Sequence, residues 1–177
     1  MLLETLLLSP CFLTGKTSHT DSKTTLTVNK GHIENDETVL FFHIDDQSNK
    51  CCKFRKSFLP KHDGCSLCDL LVFYAKGDKR VFCFVELKDN KKDLVKAKDQ
   101  LISTYDAFKA HIAPQFKFDT KAFICSSGGS LPHENKSCQN ELNKKFSGWF
   151  EVDGESDEFL EFLRGKLKKT LNKGRKR

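Results

Sequence analysis

Apolar residues are densest in residues 68–88, CDLLVFYAKGDKRVFCFVELK, where two runs rich in Val, Phe and Leu flank the pair Gly77-Asp78. Gly at the first central position suits a type II′ turn, so this stretch predicts a β-hairpin. With Gly77 and Asp78 as the loop, Lys76 pairs with Lys79 and Asp69 lies opposite Glu86. Directly paired side chains leave a sheet on the same face, and so do residues two apart. Asp69, Glu86 and Lys88 therefore share a face with Leu71, Phe73, Phe82 and Phe84, at the open end of the hairpin. Leu70, Val72, Val81, Cys83 and Val85 occupy the other face. A hairpin apolar on both faces predicts a sheet covered on both, which is an α/β arrangement.

The flanking pattern supplies the rest of the elements. Residues 1–13 are apolar and predict a short helix or an edge strand packed on the body, and residues 14–23 are polar and read as a loop. Residues 24–28 and 38–44 predict strands, with turns at 29–37 and 45–50. Asp89 or Asn90 caps a helix reaching about His111, whose Leu94, Ala97, Leu101, Tyr105, Phe108 and Ile112 form one buried stripe. Gln100 lies about 100° from that stripe, beside Lys96 and Thr104. Pro114 stops the helix, and residues 117–125 predict a buried strand. Residues 126–136 form a small-residue loop lacking the Gly-Lys-Ser/Thr of a Walker loop. A short helix at 137–145, a strand at 148–152 and a turn at 153–156 follow. A final helix starts near Asp157, with Phe159, Leu160, Leu163, Leu167 and Leu171 on one stripe. Its acidic start and basic end suit the helix dipole.

Composition narrows the class. A chain of 177 residues with 38% hydrophobic content and sixteen Phe is expected to fold as a single domain over residues 1–177. The net charge of +6 is local: eight of the thirty basic residues lie in the tail at 164–177, leaving 22 against 24 acidic residues elsewhere. The eight cysteines are mostly scattered, residues 1–8 lack a basic start and a cleavage pattern, and no apolar run reaches the length of a membrane span. The expectation is a cytoplasmic protein with reduced thiols and no membrane partner.

Two facing carboxylates repel unless a cation lies between them or one is protonated. A hard divalent ion such as Mg²⁺ suits Asp69 and Glu86, and a neighbouring lysine can orient or deprotonate a water for attack on phosphorus. The plain alternative is a cross-strand Asp–Lys–Glu ion cluster. An Asp at the start of one hairpin strand followed by Glu-x-Lys on the next resembles the PD-(D/E)xK motif of restriction-endonuclease-like nucleases, here Asp69 and Glu86-Leu87-Lys88, with Cys68 in place of the usual Pro. The order HDGC, CDLLVF, FVELK, QL and SS…P looks like that of small bacterial members of the superfamily.

The resemblance covers about residues 61–127 and implies a three-layer core, a central mixed β-sheet flanked by helices. It implies Mg²⁺, with Mn²⁺ as a substitute, held by Asp69, Glu86 and the Leu87 carbonyl. Lys88 would act on the attacking water and Gln100 would position that water or the phosphate. Residue 105 departs from the Gln-x3-Tyr spacing of such nucleases by one position, so Tyr105 is assigned to the core. The implied activity is hydrolysis of nucleic acid, DNA favoured over RNA, by an enzyme of a class that commonly works as a homodimer. The other readings are a catalytically silent nucleic-acid- or protein-binding module on the same fold, and a small structural-zinc protein.

Other candidates surround this core. Glu34, with Asp36 and Glu37 near it, could add a metal ligand, or the three belong to a solvated turn; Asp45 and Asp46 stand likewise. Lys53, Arg55, Lys56 and Lys61 interleave with aromatics as in single-strand binders, or line the wet side of a half-buried strand. Cys51, Cys52, Cys65 and Cys68, with His62, contain enough ligands for tetrahedral zinc but no second CxxC.

Overall fold

A computed structural model describes residues 2–46, 66–89, 93–111, 117–126, 136–154 and 156–166. The chain begins with helix α1 (Leu2–Leu7), then a two-stranded ribbon, β1 (Ser18–Asp21) and β2 (Thr24–Thr27). Strands β3 (Glu37–His43), β4 (Leu70–Lys76) and β5 (Lys79–Lys88) follow. Helix α2 (Leu94–His111), strand β6 (Asp119–Ser126), helix α3 (Lys136–Lys145), strand β7 (Phe150–Gly154) and helix α4 (Phe159–Arg164) complete it. The five-stranded sheet has the order β3-β4-β5-β6-β7. β3, β4 and β5 run antiparallel, whereas β5, β6 and β7 are parallel, so the sheet is mixed and the fold is α/β.

The hairpin has the register read from Gly77-Asp78: Lys76 pairs with Lys79 and Leu70 with Val85. Gly77 takes the positive φ of 52° that this turn needs. The two faces separate as the alternation predicts. Leu71, Phe73, Phe82 and Phe84 enter one core with residues of α1, α2 and α3, including Leu6, Leu94, Leu101, Phe108 and Leu142. Leu70, Val72, Val81, Cys83 and Val85 enter a second core with Leu26 of β2 and Phe159, Leu160, Phe162 and Leu163 of α4. Phe84 is fully buried, with the rings of Tyr105, Phe108 and Phe146 at 5.7, 5.3 and 5.9 Å. Burial of one such side chain contributes about 1.5–3 kcal/mol.

The structure changes three expectations and adds a buried lysine. Residues 18–21, read as loop, form β1; the segment is polar because it pairs with β2 alone and stays mostly exposed. Residues 1–13 are helix and edge together: α1 is followed by a bridge from Phe12 to Phe42 that covers the edge of β3. The last helix, expected to carry one stripe from Phe159 to Leu171, ends at Arg164, where Gly165 takes a left-handed φ of 84° and its N–H caps Phe162 O and Glu161 O; Leu167 and Leu171 lie outside the described residues. Lys121 is a buried core residue; its Nζ donates to Phe162 O at 2.5 Å and lies 4.3 Å from the centre of the Trp149 ring. Burial pushes its pKa down to about 8. Among the described residues no helix is long and apolar enough to cross a membrane.

Candidate active site

Asp69 immediately precedes β4, and Glu86 and Lys88 lie in the last turn of the pleat of β5, the central strand of the sheet. The antiparallel register brings the two acids together. Asp69 N–H donates to Glu86 Oε2 at 3.2 Å, and Leu87 N–H donates to Asp69 Oδ2 at 2.7 Å. Each carboxylate is thus held by the backbone of the other strand. Glu86 is completely buried and Asp69 nearly so, at 0% and 9% exposure.

Lys88 Nζ lies 2.5 Å from Glu86 Oε1 and donates to Gln100 Oε1 at 3.1 Å. The Lys88 ammonium is thus the partner of the buried Oε1. Gln100, 4% exposed on α2, turns its amide nitrogen to Leu67 O at 2.8 Å. It therefore ties the lysine to the segment that carries Asp69.

The electrostatics follow from burial. Desolvation raises the pKa of Glu86 well above the carboxylate range; the charge of Asp69 adds to this and Lys88 opposes it. Asp69 is raised as well, first by burial and further by the charges of Asp21 and Asp45, while the Leu87 N–H works against the shift. For Lys88, burial acts to lower the pKa, but the contact with Glu86 and the charge of Asp69 outweigh it, and the amine is held protonated.

The ribbon β1–β2 docks against this end of the sheet. Thr24 Oγ1 is 3.0 Å from Lys88 O and 2.9 Å from Asp89 Oδ1, and Lys23 N–H donates to Asp89 Oδ1 at 3.0 Å. This brings Asp21 into the field of Asp69, a placement that sequence reading missed. The Ser22-Lys23 connection lacks the Gly or Asn of a strong hairpin signal, and Ser22 takes its positive φ of 52° without one. The available clue was the threonine alternation of β2 mirrored across two polar residues.

Asp69, Glu86, Lys88 and Gln100 are brought together, with Leu87 between them. Glu34 is not. It pairs with Lys76 at 2.5 Å, at the turn end of the hairpin and about 20 Å along the strand from Asp69. The turn at 29–37 aligns with the far end of β4 because Glu37 pairs with Lys76. Asp36 joins Glu34 in that ion cluster, and Glu37 is a buried structural carboxylate bound to Arg164.

Lys53, Arg55, Lys56 and Lys61, together with Cys51, Cys52, His62 and Cys65, lie outside the described residues. Cys68 is buried, its Sγ against Leu70 O at 3.4 Å, and burial pushes its thiol pKa up, which suits a core thiol better than a zinc ligand. Cys11, Cys68, Cys83, Cys125 and Cys138 are all buried and free of disulfides. Among the described residues no group of three or more His, Cys, Asp or Glu side chains is arranged to hold a metal.

The donors present are two buried carboxylates, one of them in contact with the Lys88 ammonium. That set fits Mg²⁺, which is commonly held by one or two carboxylates and keeps several waters. Comparison of the chain with protein-family models, with curated proteins and with solved structures finds no match in any of the three.

Proposed function

We propose that this protein is a metal-dependent nuclease that hydrolyses phosphodiester bonds in nucleic acid, DNA in preference to RNA, on a restriction-endonuclease-like fold. The observation that carries the reading is the pair of buried carboxylates, Asp69 and Glu86, brought together by the hairpin with the Lys88 ammonium held beside them by Gln100. Burying two carboxylates side by side is costly, and such cost concentrates at functional sites. The mixed sheet with cores on both faces, and the helix after β5 that carries Gln100, are consistent with the three-layer arrangement that the Asp69…Glu86-Leu87-Lys88 motif implies.

Asp69 and Glu86, with the Leu87 carbonyl, would hold Mg²⁺ or Mn²⁺. When bound, the ion would activate water and offset charge on the phosphate. The chain's own residues do the positioning. The Leu87 and Asp69 N–H groups lock the two carboxylates in place. Lys88 supplies a protonated amine that orients the attacking water, and steadies negative charge as it develops on the phosphoryl oxygens. Gln100 fixes that amine relative to the segment bearing Asp69. The Lys88–Glu86 contact also supports a second reading, a silent binding module on the same scaffold, because an ammonium already offsets one carboxylate.

Titration with Mn²⁺, followed by calorimetry and by paramagnetic broadening of amide signals, separates the two. The nuclease reading predicts broadening centred on residues 69 and 86–88, abolished in Asp69→Asn and Glu86→Gln. A folded wild type that shows no localised broadening, with or without nucleic acid, favours the silent module.

A further inference from the structure

The peptide unit joining Leu67 to Cys68 is gripped at both of its polar groups by residues one turn apart on α2. Its carbonyl accepts from Gln100 Nε2 at 2.8 Å, and its N–H donates to Thr104 Oγ1 at 2.8 Å. The same Thr104 hydroxyl donates to Gln100 O at 2.7 Å. A helical threonine often bonds back to the carbonyl four residues earlier, so that contact alone implies nothing. The Cys68 N–H is what a local habit does not explain. It turns the hydroxyl into a bridge between the helix backbone at Gln100 and the residue preceding Asp69. Thr104 and Gln100 are 5% and 4% exposed, so water does not substitute for either partner.

We propose that Thr104 is a positioning residue for the catalytic group: its hydroxyl fixes α2 against the Leu67–Cys68 peptide, and so sets where Gln100 Oε1 meets Lys88. This rests on the nuclease reading for its effect on rate, but not for its effect on geometry. The chain of contacts is continuous. Cys68 N–H meets Thr104, Thr104 meets the Gln100 backbone, and the Gln100 side chain spans from Leu67 O to Lys88 Nζ. Without the hydroxyl the Cys68 N–H loses its partner, and one of two ties between the helix and this peptide is gone. Gln100 is then free to follow the peptide, and Lys88 loses a fixed acceptor.

The test compares full-length wild type with Thr104→Val, which keeps the shape and removes the hydroxyl, and Thr104→Ser, which restores it. Thr104→Cys, with a weak hydrogen-bonding group, stands in if the valine variant does not fold. Two readouts are taken: the Gln100 side-chain amide and Cys68 amide resonances, and the kinetics of Mg²⁺-dependent cleavage. The valine variant is expected to shift both resonances and to lower kcat at least about tenfold with KM changed less than about threefold, while serine stays near wild type. An unchanged Gln100 resonance in the folded valine or cysteine variant overturns the proposal whatever the rate. So does a shifted resonance with an unchanged kcat, or a serine variant that fails to restore both. A wild type that cuts nothing removes the nuclease reading instead, and the resonances then decide the junction by themselves.

Discussion

Removing Arg164 should expose how α4 is fastened to the sheet. Its guanidinium forms a fork on Glu37 of β3, with Nε to Oε1 at 2.8 Å and Nη2 to Oε2 at 2.6 Å. The Glu37 side chain is wholly buried, and Tyr74 OH and Glu34 N–H complete its shell at 2.8 and 2.9 Å. Arg164→Leu strips the nearer cation and leaves the buried carboxylate with Tyr74 OH, Glu34 N–H and, 3.8 Å from Oε1, the Lys76 ammonium. Breaking a buried pair on one side costs about 3–5 kcal/mol. A second route gives a similar size. The hydrogen bond from Arg164 is the largest cause holding the Glu37 pKa at about 2 rather than 4.5. A depression of that extent corresponds to about 3 kcal/mol at neutral pH. The folded-state pKa is lowered, so the contribution is complete above the ordinary glutamate value and is lost as pH falls from there towards 2. Urea unfolding followed by circular dichroism, at pH 7 and at pH 3, measures it. The expected result is a loss of about 3 kcal/mol at pH 7 that shrinks at pH 3, and partial recovery in the double variant Glu37→Leu/Arg164→Leu. A loss under about 1 kcal/mol at pH 7, or a gap that widens in acid, would refute the reasoning.

The site itself should behave in the opposite sense. Glu86 has a raised pKa, so without a metal its ionisation costs stability as pH climbs above the ordinary glutamate value. Glu86→Gln is therefore expected to be more stable than wild type by about 1–3 kcal/mol at pH 8 in EDTA, and to lose that advantage near pH 4; thermal unfolding across pH checks it, and a variant less stable than wild type at pH 8 contradicts it. Gly165→Ala should cost about 1–2 kcal/mol in urea unfolding, because the left-handed cap strains any Cβ and the added atom would meet Lys79 Nζ at 3.1 Å; a neutral substitution would show that the cap does not hold α4.

The hairpin and its acidic end were legible because one turn, Gly77-Asp78, sets the register for every pair behind it. Two-residue periodicity then assigned both faces without knowledge of what covers them. The buried stripe of α2 and the placement of Gln100 on its flank were legible for the same reason. What covers the second face was less so. β1 carries no apolar alternation, since among the described residues the strand it pairs with is β2 and it stays mostly exposed. The helix pattern of α4 ran past Gly165 because leucines recur at 167 and 171, and periodicity alone does not register that the glycine closes the helix with a left-handed cap. Glu34 is a candidate extra ligand in the sequence, beside the plain reading of a solvated turn, because it lies upstream of Asp69. In space, the pairing of Glu37 with Lys76 sends that turn to the far end of the strand. Thr104 stood beside Gln100 on the helix flank, but its contact with Cys68 N–H spans 36 residues, and no local pattern reports such a contact.

The central claim is that Asp69, Glu86 and Lys88 form a phosphodiesterase site, and nucleic-acid cleavage tests it most directly. Wild type and Glu86→Ala, both confirmed as folded, are offered single- and double-stranded DNA and RNA with Mg²⁺, Mn²⁺ or EDTA. The expected result is metal-dependent cutting by wild type, DNA ahead of RNA, that EDTA and the substitution each abolish. Cutting that survives Glu86→Ala, or a folded wild type that cuts none of the substrates with either metal, would contradict it.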